Sequence, residues 1–206
     1  MKNVLCFGDS NTYGYNPETG GQYGENERWC GLLKTLLRAE YNIIEEGCCS
    51  RTILFKDFDD ITTCGIDYLP YCLSKYQSLD LVIIALGLND FQTVYNAAVD
   101  DVVDGIRVLT KLIKLSQNTN ILITAPAYIQ DGISSGSFGC LFDEKSVSKS
   151  IELAEKLENF CQNNGFFYFD FNAAAKTSPK DCLHMDVNSH RQIASALSKI
   201  ISDILA

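Results

Sequence analysis

The sequence has no apolar run approaching the roughly 18 residues that cross a bilayer as a helix, which argues against a membrane-spanning segment. It begins Met1-Lys2-Asn3 and passes straight into an apolar stretch, with no charged-then-apolar leader, so the expected location is the cytoplasm. Basic clusters are missing too. Lys and Arg number 17 against 26 Asp and Glu, a formal net charge of -9, which disfavours nucleic acid and anionic lipid as partners. Nine cysteines are present, but the number is odd, no two have C-x-x-C spacing, and only Cys48 and Cys49 are adjacent. Cys6, Cys30, Cys72 and Cys161 fall in apolar or amphipathic segments, where a free thiol behaves as a small hydrophobe. Neither a disulfide framework nor zinc is expected, and no motif asks for another metal or a cofactor. Histidine occurs only twice, at 184 and 190, so any reaction needing an imidazole has two candidates.

What remains is an ordinary soluble composition, 46% hydrophobic and 21% charged, over 206 residues. That length suits one well-buried domain and is short for two. Strand and helix patterns alternate about five times. Strands are expected at 3–7, 42–46, 80–86, 120–125 and 166–171, the third being the clearest buried run, Leu-Val-Ile-Ile-Ala-Leu. Between them, Trp29, Leu32, Leu33, Leu36 and Leu37 mark a helix from about Arg28, and residues 65–77 read as helical although Pro70 disturbs the pattern. Val99, Val102, Val103, Ile106, Leu109 and Ile113 mark the next helix. Val147, Ile151, Ala154, Leu157 and Cys161 mark another, stopped by Gly165. A last helix runs from about Asn188 and buries Ile193, Leu197, Ile200, Ile201 and Ile204. Residues 11–27 and 126–142, rich in glycine, read as long loops, the second as a lid or substrate wall. No repeat, low-complexity tract or linker interrupts the chain. The pattern predicts one α/β domain over residues 1–206, doubly wound around a mostly parallel five-stranded sheet.

Four polar segments follow strands in this scheme: Gly8-Asp9-Ser10 after the first, Gly47-Cys48-Cys49-Ser50-Arg51-Thr52 after the second, Gly87-Leu88-Asn89-Asp90 after the third, and Asp181-Cys182-Leu183-His184 beyond the fifth. Parallel strands share one carboxyl edge, where ligands of open α/β sheets bind. A serine in a polar turn is most often a turn residue or a helix cap. Here, however, the same edge gathers what acyl transfer requires. Ser10 can attack, His184 can take its proton, Asp181 can hold the ring tautomer, and Asn89 can donate to a developing oxyanion.

In that order and spacing the four blocks resemble the SGNH (GDSL-type) serine hydrolases over essentially the whole chain. Each block alone is weak; four in order make a specific signal. Glu45-Glu46-Gly47 through Arg51-Thr52, with Arg28-Trp29, are most similar to the branch of small arylesterases and acyltransferases. The resemblance implies a three-layer α/β/α, flavodoxin-like fold and a Ser10–His184–Asp181 triad. It also implies an oxyanion hole from the backbone N–H groups of Ser10 and Ser50 and the Asn89 amide. The implied substrate is a small-molecule carboxylic ester, with acyl transfer to an alcohol as a variant outcome. Several members of the family form oligomers, and the loop 15–27 is the candidate segment for a homo-oligomer here. One departure is Ser50, where the family usually has glycine; its backbone is therefore expected to avoid a glycine-only conformation.

Other residues receive plainer readings. His190 lacks an aspartate three residues before it, which favours His184 as the base. Asp9 and Asp90 are expected to hold turns through side chain to backbone hydrogen bonds, and Asp186 to cap the last helix. Arg51 reads as half of a structural ion pair, ahead of the alternative that it binds a carboxylate or phosphate on a substrate. Tyr13, Tyr15, Trp29, Phe91, Tyr128, Ile129 and Met185 lie near motif loops and are candidate substrate-binding residues, with core packing the competing assignment for each. The main rival reading is a flavodoxin-like FMN carrier, with Ser10-Asn11-Thr12-Tyr13-Gly14 as its phosphate loop. A catalytically inactive binding module of the same fold is a third.

Overall fold

The computed structural model describes residues 1–206. Five strands, β1 (Lys2–Gly8), β2 (Tyr41–Gly47), β3 (Leu81–Ala85), β4 (Asn120–Ala125) and β5 (Phe167–Asp170), form one all-parallel sheet in the order β2-β1-β3-β4-β5. Six helices accompany them: α1 (Ser10–Tyr13), α2 (Trp29–Leu37), α3 (Gly65–Lys75), α4 (Val99–Ser116), α5 (Glu144–Asn164) and α6 (Val187–Ile204). None is long and apolar enough to cross a membrane.

The unbroken apolar runs of β1 and β3 follow from burial on both faces. Leu5, Phe7, Val82 and Ile84 point into the core shared with α3, α4 and α5. Val4, Cys6, Leu81 and Ile83 point the other way, into the core shared with α2 and α6. This is the three-layer sandwich expected. The chain first steps from β1 out to β2, then returns to place β3 on β1's other side. The strand order therefore reverses between β1 and β3, and a crevice opens at their carboxyl ends.

Two local expectations need correction, and one holds against an interrupting proline. The loop after β1 begins with one turn of helix, α1, which periodicity cannot detect in four residues. The helix expected over 65–77 is present as α3, with Pro70 inside it on the exposed face. Ile151 of α5 is half exposed, and Ser150, Leu153 and Phe160 join Val147, Ala154, Leu157 and Cys161 on the buried face instead.

Candidate active site

Ser10 begins α1 immediately beyond β1. Asp9 caps that turn, its carboxylate accepting from the Asn11 N–H at 2.9 Å. Burial raises the Asp9 pKa to about 6, opposed by that amide and by the charges of His184 and Arg51. The end of β2 lies so close to α1 that a Cβ on Gly47 would sit 2.2 Å from the Tyr13 nitrogen, so only glycine fits there.

The Ser10 hydroxyl is 2.9 Å from His184 Nε2, and His184 Nδ1 is 2.7 Å from Asp181 Oδ2. The other Asp181 oxygen accepts from the backbone N–H groups of Leu183 (3.0 Å) and His184 (2.9 Å). Burial alone would raise this carboxyl's pKa; the His184 ring and the two amides outweigh it and hold the group below its ordinary value. All three side chains are buried, with Ser10 7% exposed to the crevice. Ser10, His184 and Asp181 thus form one continuous hydrogen-bonded line, the arrangement that a nucleophile, its base and an orienting carboxylate require.

Asn11 holds this line together. Its side chain accepts from the Met185 N–H at 2.9 Å and donates to the Leu183 carbonyl at 3.2 Å, so one amide brackets His184 from both sides. Asn11 belongs to the Gly8-Asp9-Ser10-Asn11 motif, yet nothing in the sequence assigns it a task. Bonds spanning more than 170 residues leave no periodic trace.

The loop after β2 turns sharply from Cys48 to Arg51, closed by Arg51 N–H to Cys48 O at 3.3 Å. Ser50, the third residue of this turn, has φ +61°, a left-handed conformation that favours glycine and that other residues adopt at a cost. The backbone N–H groups of Ser10 and Ser50 have no acceptor within the protein. Asn89, from the loop after β3, spends one Nδ2 hydrogen on the Arg51 carbonyl at 3.1 Å, leaving a second for a ligand. Asp90 ties the same two loops by accepting from Ile53 N (2.9 Å) and Leu54 N (3.1 Å). Burial raises the Asp90 pKa to about 7 against the pull of those amides. Replacing Ser50 by glycine should relieve about 1–2 kcal/mol of left-handed strain. The looser unfolded chain offsets part of this, for a net gain of about 0.5–1 kcal/mol in urea unfolding.

A cavity of about 110 Å³ opens over Ser10 and His184, walled by Tyr15, Cys49, Ser50, Asn89, Phe138, Leu141, Phe142 and Leu183. Tyr15 lies against the His184 ring at 4.1 Å between centroids, and Phe138 meets it edge-on at 5.1 Å. Phe138, Leu141 and Phe142 come from the glycine-rich loop 126–142, which therefore serves as a pocket wall.

Of the seven substrate-binding candidates only Tyr15 lines this cavity. Trp29 is fully buried behind α1, its indole N–H donating to the Asn11 carbonyl at 3.1 Å. Phe91 packs into the core beneath α4 and α5. Tyr128 lines a separate cleft of about 410 Å³ beside α5. Tyr13 gives its carbonyl to Gln22 and faces away from the cavity. Proximity in sequence to a motif does not decide which way an aromatic side chain points. The rest of the wall comes from the loop 126–142, whose length and composition mark it as a lid or substrate wall.

The sequence matches the family described as GDSL-like Lipase/Acylhydrolase over residues 6–191. Among solved structures, a carbohydrate acetylesterase family member from Sinorhizobium meliloti superposes with a TM-score of 0.93 at 29% identity, covering 100% of this chain and 99% of that one. The native aryl esterase of M. smegmatis gives 0.92 at 29% identity, covering 99% and 100%. No protein of curated function matches by sequence.

Proposed function

Since the chain belongs to the GDSL-like lipase/acylhydrolase family, and is thus a carboxylic ester hydrolase, we propose that it cleaves short-chain, acetyl-type esters through an acyl-enzyme on Ser10. The observation that carries this reading is the Ser10–His184–Asp181 line opening onto a cavity of only about 110 Å³. Small-molecule pockets commonly run to about 300–1,000 Å³, so this one suits a short acyl group and leaves no room for a long chain.

In the first half-reaction His184 Nε2 accepts the Ser10 proton as Oγ bonds to the ester carbonyl carbon. The carbonyl oxygen becomes an oxyanion, received by the Ser10 and Ser50 N–H groups and the free Asn89 hydrogen. Collapse breaks the bond to the leaving oxygen, which takes the proton from Nε2. Water then repeats the cycle on the acyl-enzyme, giving its proton to His184 and releasing the carboxylic acid. The two similar structures act, by their descriptions, on acetylated carbohydrate and on aryl esters. For this chain the alcohol half is accordingly a small alcohol, an aryl alcohol or a sugar. Tyr15 and Phe138 cover the imidazole with apolar surface, which favours an alcohol over water as the second acceptor and so some acyl transfer.

The test is a series of p-nitrophenyl esters. Acetate should be turned over fastest, butyrate more slowly, and octanoate about 100-fold more slowly or worse, since chain atoms beyond the cavity must displace packed side chains. Octanoate equal to acetate would overturn the short-acyl assignment.

A further inference from the structure

Arg51 was expected to form an ion pair, and it does not. Its side chain is 1% exposed and no carboxylate lies within bonding distance. Instead Nε donates to the Thr62 carbonyl at 2.6 Å, and Nη1 to the carbonyls of Gly8 (2.9 Å) and Glu46. Phe7 and Tyr68 lie against the guanidinium, their ring centroids 4.5 and 5.1 Å from Cζ. A charge buried in this way is costly and needs every donor satisfied. A planar fork can meet carbonyls in several directions at once, and an ammonium cannot.

The acceptors indicate what the fork does. Gly8 ends β1, two residues before Ser10; Glu46 is the last residue but one of β2; Thr62 precedes α3. Arg51 itself follows Ser50, and its own carbonyl receives the Asn89 amide. One residue therefore joins the strand that presents Ser10, the turn that presents the Ser50 N–H and the side chain of Asn89. Ser50's left-handed backbone also has to be over-determined by its surroundings to persist.

Resting on the reading of the site above, we infer that Arg51 is the positioning residue of the oxyanion hole, fixing the Ser50 N–H and the Asn89 amide relative to Ser10 from beneath. It never meets substrate. Its influence is felt where charge develops, in the transition state, and hardly at all in binding the neutral ester.

The experiment is a double-mutant cycle on p-nitrophenyl acetate with Arg51→Lys, Asn89→Ala and the pair together, each checked by thermal unfolding. Asn89→Ala should lower kcat by about 10²–10³-fold. Arg51→Lys should lower kcat about tenfold or more with KM nearly unchanged. In the Asn89→Ala background the same Lys substitution should cost less than it does in the wild type, because one of the two donors it fixes is already gone. Should Lys prevent folding, Arg51→Gln, which carries no charge to bury, gives the same readout. Full multiplicative effects, or a raised KM with kcat intact, would show Arg51 to be structural only. An impaired Asn89→Ala beside an Arg51→Lys of normal kcat overturns this inference alone. Asn89→Ala at wild-type turnover overturns the oxyanion reading and the inference with it.

Discussion

Replacing Ser10 by alanine should lower kcat for p-nitrophenyl acetate by about 10⁵–10⁶-fold, and His184→Ala should match it, because residues that act as one unit fail together. The two variants remove opposite ends of a single 2.9 Å hydrogen bond. Without Oγ no acyl-enzyme forms; without Nε2 the hydroxyl keeps its proton and remains a poor nucleophile. His190→Ala is the control that gives the pair meaning. That ring lies fully buried at the start of α6, accepting the Trp29 N–H at Nδ1 (3.4 Å), with Tyr23 edge-on to it. Burial drives its pKa down to about 3, so it stays neutral and cannot cycle a proton at working pH. Its loss should uncap α2 and lower the unfolding temperature while turnover stays within about threefold of wild type, since only stability is touched. A few per cent of activity surviving in Ser10→Ala would sink the acyl-enzyme mechanism. Activity lost in His190→Ala, with the protein folded, would mean that the base is the other histidine.

The choice between these histidines shows how far a sequence reading reaches. The strands, the parallel sheet and the edge that gathers Ser10, Asn89 and His184 were legible because each rests on local signals. Apolar runs marked β1 and β3, heptad-like spacing marked α4, and Asp181 stood one turn before its histidine. Two kinds of information were out of reach. The first is direction: Trp29, Phe91 and Tyr128 are large aromatics near motif loops, and nothing local reveals that they face away from the cavity. The second is the long-range polar bond. Asn11's bracket on His184 spans more than 170 residues and Arg51's fork reaches carbonyls up to 43 residues away, by contacts with backbone atoms that every residue possesses. Ser50 belongs to the same class. Its backbone conformation is imposed by what holds the turn, so its side chain was a poor guide. The FMN reading yields on these grounds as well. The Ser10 hydroxyl and both ends of the Asn11 amide, which a phosphate loop would turn toward its ligand, are committed to the His184 segment.

Asp181→Asn, nearly identical in shape, should cost about 10⁴-fold in kcat, because it forces the wrong tautomer on the base. The reason lies in the two backbone amides. Leu183 and His184 both donate to Asp181 Oδ1, so an asparagine here must keep its carbonyl oxygen on them, since the reversed rotamer would set an NH₂ against two N–H groups. The NH₂ is then left facing His184 Nδ1, now a donor where the carboxylate accepted. Nδ1 can meet it only as an acceptor, which moves the ring's proton to Nε2, pointing at Ser10. A base already carrying its proton on that nitrogen cannot take another from the hydroxyl. The same substitution has a second, separable signature. Asp181 titrates below its unfolded value, so its ionised form contributes stability that is complete above the ordinary aspartate pKa of about 3.9 and fades as pH falls through the lower, folded value. Urea midpoints of the wild type should therefore drop on acidification more steeply than those of Asp181→Asn, which has no proton to gain at that site. Parallel midpoint curves would mean that Asp181 is not held ionised by its partners. Near-normal turnover in the variant would mean that His184 sets its tautomer without it.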